Sequence, residues 1–401
     1  SAGNNGGNVL YDGVTLPAGA YNIVAVGASD DINDADRSDD IIWTGSSLGP
    51  VGVCSSAETR IKPDIVAPGV GIMSPTGSSG LGLWTGTSFA SPHVTGSIVL
   101  IDQLTGESLF AEEIRALLLN TAEDRLQSNG NAGNDGPDNT WGYGYLDMNE
   151  AYFEAGDVDK GTLVGQGNDA FFKFDFVDAM DTATLVWNRH IVNNVGVTNN
   201  LDLFLYDQAT GDIIDSSEYI GRNIEQVKAN GDYESAVVKV NLNTLNTGLT
   251  EDFGIAVNGQ LSEVNLPQFN VTVNSKDNVI CNTPTKLNIK IKNTGQIAMH
   301  DINANLNLPP NTVLVSGLNP QTLEAVNPGQ TKVVSWTVRF KDPSSSAVSV
   351  DVDSSSYGEE IFATANANIV CKNVINQNSG RYHNTSLEAC KLSPTGTLIC
   401  L

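Results

Sequence analysis

One segment combines a nucleophilic hydroxyl with small neighbours and a helix start: Gly86-Thr87-Ser88-Phe89-Ala90-Ser91-Pro92-His93-Val94-Thr95-Gly96. Thr87 and Ser88 precede an apolar run in which Val94, Ile98, Ile101 and Leu104 fall on roughly one face, so Ser88 is expected at or just inside a helix start. Such an end offers unpaired N–H groups and positive potential to an oxyanion developing on a substrate carbonyl. Pro92 suits this reading as a first-turn residue, where no internal N–H is required. Local physics alone describes a capped helix. His93 is not placed to act as a base, because five residues at ~100° each put it about 140° round the helix from Ser88; a satisfied packing histidine is expected.

The elements that must hold this segment come in two styles, changing near 156–161. Before it, β-rich runs such as Ile23-Val24-Ala25-Val26 and Ile65-Val66-Ala67 alternate with helical stretches at about 88–104 and 109–121, as in α/β domains with a parallel sheet flanked by helices. After it the pattern is almost entirely strands: 170–176, 184–187, the alternation Leu201, Leu203, Leu205, then Val238, Val240, Leu242, and 253–257, separated by Gly, Asn and Asp turns. That predicts a β-sandwich or jelly roll. From about Asp277, Leu287, Ile289 and Ile291 alternate, then Val334, Trp336, Val338 and Phe340, which predicts an immunoglobulin-like sandwich. The expected organisation is 1–157 α/β, 158–275 β-sandwich, 276–371 Ig-like sandwich and 372–401 a polar tail.

Composition supports this division and narrows the partners. The 401 residues allow two to four domains, and 40% hydrophobic with 17% charged residues suffices for several cores. A net charge of −25 argues against nucleic-acid or anionic-membrane partners, which need a basic surface. No apolar run approaches the ~18 residues of a membrane helix. Cys54 stands alone and is expected to pack as a small hydrophobe. Cys281, Cys371, Cys390 and Cys400 allow three pairings. Cys281–Cys371 with Cys390–Cys400 is preferred, in keeping with an oxidising compartment.

At 86–96 the chain resembles the subtilisin-like serine proteases, whose nucleophile signature reads Gly-Thr-Ser-x-Ala-x-Pro-His-Val-x-Gly. Ser1-Ala2-Gly3-Asn4-Asn5-Gly6 resembles the segment whose Asn donates its amide to the oxyanion hole. The stretches 21–28, Lys62-Pro63-Asp64-Ile65-Val66-Ala67-Pro68-Gly69, 114–118 and Trp141-Gly142-Tyr143-Gly144-Tyr145-Leu146-Asp147 look like the family's strands and last helix, in family order. Gly69, Gly144 and Trp141 are read as turn and packing positions. The resemblance covers about 1–153 and implies that Ser88 is the acyl-forming nucleophile. Its own N–H and the Asn4 amide would hold the oxyanion.

The family order is Asp, His, Ser, and neither of the first two segments is found. His190, His300 and His383 are expected on the surface. Three explanations follow: the chain is the C-terminal portion of a longer protease, it pairs with a separate N-terminal piece, or the domain has lost catalysis. The abrupt start favours the first. The expected function is therefore part of a secreted, extracellular serine endopeptidase acting on proteins or peptides, inactive without the missing N-terminal half of its domain. The competing reading is a non-catalytic adhesion or structural protein on a degenerate subtilase scaffold.

The first β unit resembles the pre-peptidase C-terminal or jelly-roll domains of secreted subtilases through Trp187-Asn188-Arg189, Asn199-Asn200-Leu201-Asp202-Leu203 and Asn223-Ile224-Glu225-Gln226-Val227. The second is similar to adhesion-related bacterial Ig-like modules by pattern, and either could bind a cell surface or matrix. No cofactor is required for the chemistry. Structural Ca2+ is expected at the acidic runs holding Asp31 and Asp34 and holding Asp135 and Asp138, which supply oxygen ligands without EF-hand spacing.

Overall fold

The computed structural model describes residues 1–7, 13–14, 16–51, 60–77, 80–125, 136–373, 391–392 and 398–399. Two short apolar runs form its first sheet: β1 (Val26–Asp30) lies between β2 (Ile41–Ile42), antiparallel, and β3 (Ile65–Pro68), parallel. Val26, Ala28, Ile65, Val66 and Ala67 are fully buried. Small and apolar side chains suit burial on both faces, and the polar Ser29 and Asp30 close β1. The strand starts three residues later than the apolar run at Ile23 suggests. The chain start covers part of the sheet edge, Ala2 N–H donating to the Val26 carbonyl at 2.8 Å.

A hairpin, β4 (Ile72–Pro75) with β5 (Leu81–Trp84), leads into α1 (Thr87–Leu104). Ala90, Val94 and Ile101 bury the side of α1 that packs on β1 and β3, at the 4- and 7-residue spacing that shares a helix face. Pro92 differs from expectation: it lies inside the helix, beyond the first turn. Its ring therefore forgoes the bond that an amide at 92 would make to the Ser88 carbonyl. Next comes α2 (Ala111–Asn120), whose start is fixed by the Glu113 carboxylate accepting the Phe110 N–H at 2.8 Å. A short α3 (Met148–Phe153) is capped by Asp147, which accepts from the Asn149 and Glu150 amides.

Residues 113–120 of α2 are buried all round, which a surface helix on one sheet would not be. The second side packs on strands of the next unit. That unit comprises β6 (Val158–Val164), β7 (Asp169–Val177), β8 (Thr182–Trp187), β9 (His190–Val192), β10 (Val195–Val197), β11 (Asn200–Asp207), β12 (Ile213–Ser217), β13 (Ile224–Lys228), β14 (Tyr233–Thr244), β15 (Thr250–Val257) and β16 (Leu261–Val264). Its antiparallel sheets, β12-β11-β14-β7-β16 and β13-β8-β15-β6, share one core that includes Phe172, Phe174, Leu185, Trp187, Leu203 and Phe253. The motif residues singled out in the sequence knit this core: Trp187 donates its indole N–H to Asn199 O at 2.9 Å, and Asn223 donates to Trp187 O at 2.8 Å.

The last strands are β17 (Phe269–Asn274), β18 (Asn278–Ile280), β19 (Thr285–Asn293), β20 (Ile302–Asn307), β21 (Thr312–Ser316), β22 (Gln321–Leu323), β23 (Thr331–Phe340), β24 (Ser345–Ser356) and β25 (Glu359–Lys372). They form the sheets β17-β19-β23-β21 and β18-β25-β24-β20-β22 over a core around Trp336, Ile289, Val338 and Val350. The division at 275 shifts here: β17 lies before it, yet pairs along its length with β19. Cys281 and Cys371 form a disulfide, Cα atoms 5.1 Å apart and 90 residues apart in sequence. It lies beside the parallel pairing of β18 with β25, where Val279 faces Cys371. Cys54, Cys390, Cys400 and His383 lie outside the described residues.

Two histidines expected on the surface are otherwise placed. His300 is buried between the second and third units, edge-on to Tyr357 and 3.1 Å from Gln208 O. His190 is half-buried and held at 2.8 Å by the Glu251 carboxylate. Each fills a hydrogen-bonding role that only the docking of separate strands reveals. Among the described residues, no helix is long and apolar enough to cross a membrane.

Candidate active site

Gly69, at the end of β3, and Gly86, before α1, set up the site by close approach. Gly86 N–H donates to Gly69 O at 2.8 Å, and a Cβ on Gly69 would come within 2.6 Å of the Ala28 Cβ and 3.0 Å of Gly86 O. Gly86 itself takes φ 150°, a backbone that side-chain-bearing residues avoid. The result delivers Thr87 inward and Ser88 outward at the first turn of α1. Thr87 is buried, whereas Ser88 is exposed.

Asn4 lies against the same turn. Its Oδ1 accepts the Thr87 N–H at 3.0 Å and the Thr87 hydroxyl at 2.9 Å, while Thr87 Oγ1 accepts the Gly3 N–H at 3.2 Å. Because a backbone N–H can only donate, the Asn4 oxygen must face Thr87 and its Nδ2 must face away. Among the described residues neither Asn4 Nδ2 nor the Ser88 N–H has an acceptor. Two donors are thus presented to solvent beside an exposed serine hydroxyl, at the positive end of an 18-residue helix. In the sequence Thr87 marks only the helix start, with no role of its own at the site. Its signal was its place beside Ser88, but only the fold shows it clamping Asn4, 83 residues away.

At the opposite end of β3 from Gly69, Asp64 joins the starts of β1 and β3. Its Oδ2 accepts the Ala25 N–H at 2.6 Å and lies 2.5 Å from Lys62 Nζ, both side chains being buried. Burial holds the Lys62 ammonium below its ordinary pKa, offset in part by Asp64. The β4–β5 hairpin flanks the site with exposed Met73, Leu81, Leu83 and Trp84, and Trp84 stacks on Phe89 at 5.9 Å. His93 is satisfied, its Nδ1 2.9 Å from Phe89 O, but it stands on the exposed side of α1 rather than packing.

Three of the residues expected to hold calcium, Asp31, Asp34 and Asp138, are engaged in local hydrogen bonds. Asp31 Oδ1 accepts the Asn33 N–H at 3.2 Å and Asp34 Oδ1 the Asp36 N–H at 2.8 Å. Asp138 Oδ1 accepts the Thr140 and Trp141 amides at 2.6 and 2.8 Å. These are turn-closing carboxylates. Asp135 lies outside the described residues, and among those described no group of three or more His, Cys, Asp or Glu converges on a metal position.

Comparison with known proteins bears on the first part of the chain. Residues 1–144 match the model of the subtilase family, so this part of the chain is subtilase-like. Subtilisin-like protease 10 of Arthroderma benhamiae is 34% identical over 130 residues, covering 32% of this chain and 22% of that protein. The minor extracellular protease Vpr of Bacillus subtilis is 41% identical over 91 residues, covering 21% of this chain and 11% of that protein. The chain thus spans a quarter or less of the length of these relatives. Among solved structures, the patellamide maturation protease PatA is 27% identical with a TM-score of 0.30, covering 38% of this chain and 49% of that one.

Proposed function

We propose that this chain is the C-terminal portion of a secreted subtilisin-like serine endopeptidase in which Ser88 forms the acyl-enzyme. The observation that carries the reading is Asn4, held by Thr87 through its Oδ1 next to the exposed Ser88, with its Nδ2 turned away from Thr87. Ser88 Oγ adds to a peptide carbonyl, and its proton passes to a base supplied from outside these 401 residues. The carbonyl oxygen, now anionic, is received by Asn4 Nδ2 and the Ser88 N–H, which act most strongly where charge develops. The C–N bond then breaks, the amine leaves with the proton from that base, and water hydrolyses the acyl ester. The β4–β5 hairpin offers an apolar wall to a neighbouring substrate side chain.

In this reading 158 to about 268 is a β-sandwich of jelly-roll type, and the strands from β17 to Cys371 are an Ig-like sandwich, each accessory to catalysis. Calcium at the acidic turns of Asp31, Asp34 and Asp138 concerns stability alone, and a chelator-dependent fall in melting temperature tests it. Extracellular placement is supported by the named relatives and by the disulfide.

The experiment is labelling of the full-length protein, bearing upstream Asp and His segments, with a fluorophosphonate, followed by peptide mapping. Label on Ser88, and loss of both label and peptide hydrolysis in Ser88→Ala, is the expected result. Hydrolysis that survives Ser88→Ala, or a natural 401-residue protein that takes no label, would replace this reading with a non-catalytic extracellular scaffold.

A further inference from the structure

Charge is distributed unevenly along the chain. Residues 1–275 hold 11 Lys and Arg against 37 Asp and Glu, whereas 276–401 hold 10 against 9. The lysines also differ in how they are used. Before residue 276, Lys62, Lys173, Lys228 and Lys239 lie in ion pairs and Lys160 sits 3.6 Å over the Phe110 ring. In the third unit Lys276, Lys286, Lys290, Lys292, Lys332, Lys341 and Lys372 make no ion pair among the described residues. In a chain with 46 carboxylates, that separation places free cations on one part of the surface.

The topology gathers them. In β19 the buried Leu287, Ile289 and Ile291 alternate with exposed Lys286, Lys290 and Lys292, so the lysines share the outer side of the sheet with Asn288. Asn270 and Thr272 of β17 face Lys292 and Lys290. On the other flank, Thr337 and Ser335 of β23 face Lys286 and Asn288. Arg339 continues the outer side of β23, and its Nε is buried without a hydrogen-bond partner. None of the four strands β17, β19, β23 and β21 contains a carboxylate. At one end the face opens into a cleft of about 940 Å³ lined by Lys276, Lys286, Lys372, Asn274 and Asn278, again with no carboxylate in its lining.

We infer that this outer sheet face, with the Lys276–Lys286–Lys372 cleft at its end, binds an anionic polysaccharide. From Lys286 to Lys292 the ammonium groups form a row of about 20 Å at ~3.4 Å per residue, suited to an extended polymer with repeated charge. The interleaved Asn, Thr and Ser side chains supply hydrogen bonds for sugar hydroxyls. No exposed aromatic residue lies among the outward side chains of the four strands, so there is no platform for nucleobases. Whether the polymer carries carboxylates or sulfates is one chemistry for the lysines, and the test separates them. The inference does not depend on catalysis at Ser88.

The test is retention of the 401-residue chain on immobilised polygalacturonate, heparin and neutral dextran over a salt gradient. Binding to one or both polyanions, weakening with salt, and none to dextran is expected. Lys286→Gln/Lys290→Gln/Lys292→Gln should bind about a hundredfold more weakly, at roughly fivefold per lysine lost near an anionic surface. Lys160→Gln/Lys173→Gln should bind as the parent does. In the parent, bound polymer should shield Lys286, Lys290 and Lys292 from acetylation while leaving Lys160 and Lys173 reactive. This footprint decides the matter even where the triple variant fails to fold. Unchanged affinity in the folded triple variant, equal binding to dextran or to single-stranded DNA of the same charge, no polyanion binding, or no shielding each overturns the inference. So does salt-sensitive dimerisation in sedimentation that masks these lysines, since the acidic part of a second copy would then be the occupant.

Discussion

At the scale of single residues, the site depends on which end of the Asn4 amide faces outward, and Thr87 decides that. If the proposed function holds, replacing Asn4 by Leu in the full-length protein removes one donor and leaves Ser88 in place. We expect kcat to fall about a hundred- to a thousandfold with KM little changed, a range taken from subtilisins themselves rather than derived from this geometry. Steady-state kinetics on a peptide amide checks it, and a change confined to KM would show that Asn4 binds substrate without serving the transition state. Lys62 answers a different question. Lys62→Met strands the buried Asp64 carboxylate, and losing one member of a buried pair costs roughly 3–5 kcal/mol. Urea unfolding should register that loss, and a shift below about 1 kcal/mol would mean that the Ala25 N–H alone satisfies Asp64.

Among the elements, β18 and β25 share a covalent tie whose effect is calculable. Reducing Cys281–Cys371, or replacing both with Ser, frees a loop of 90 residues in the unfolded chain. The chain-entropy model puts that at about 4–5 kcal/mol, readable as a fall in the urea midpoint of the third unit. A midpoint unmoved by reduction would show that the unfolded chain is already compact there. The sequence made this pairing the preferred one because the two cysteines flank a run of alternating strands. Legible too was the start of α1, from Thr87 and the apolar spacing behind it. Pro92 was not legible as a second-turn residue: helix geometry tolerates a lost amide there only because packing on β1 and β3 holds α1 together. The affiliation of β17 was equally hidden, since the alternation of Phe269, Val271 and Val273 specifies a strand but not which neighbour completes its ladder.

For the whole molecule, the junction between the subtilase-like segment and the first β unit carries a pH dependence. Asn120 at the end of α2 accepts from the Thr182 and Thr184 hydroxyls at 2.9 Å each, and a cavity of about 330 Å³ beside them is lined by Glu123, Asp124, Glu150 and Asp181. Burial, followed by neighbouring carboxylates, pushes the Asp181 carboxyl up to about 6, and burial likewise raises Glu150 and Glu154. For an acid raised on folding, protonation favours the folded state. The contribution is therefore complete below the unfolded pKa near 4 and is lost as pH rises through about 6. Thermal unfolding between pH 4 and 7 should show the junction weakening with rising pH, and Asp181→Asn should flatten that slope. An unchanged slope would assign the dependence to the other raised carboxyls, Glu225 included, which burial lifts to about 8.

The sequence by itself determined the local grammar: the helix that begins at Thr87, the period-2 strands after residue 158, the serine signature, and the asparagine that resembles an oxyanion donor. These follow from spacing of a few residues, where side-chain type and backbone period suffice. Tertiary structure alone decided that Thr87 turns Asn4 outward, that α2 is buried on both sides, that His300 is internal, and that the lysines of β19 are flanked by the carboxylate-free β17 and β23. Each of those depends on segments tens of residues apart in sequence, and their meeting is set by packing and hydrogen-bond satisfaction rather than by any local preference.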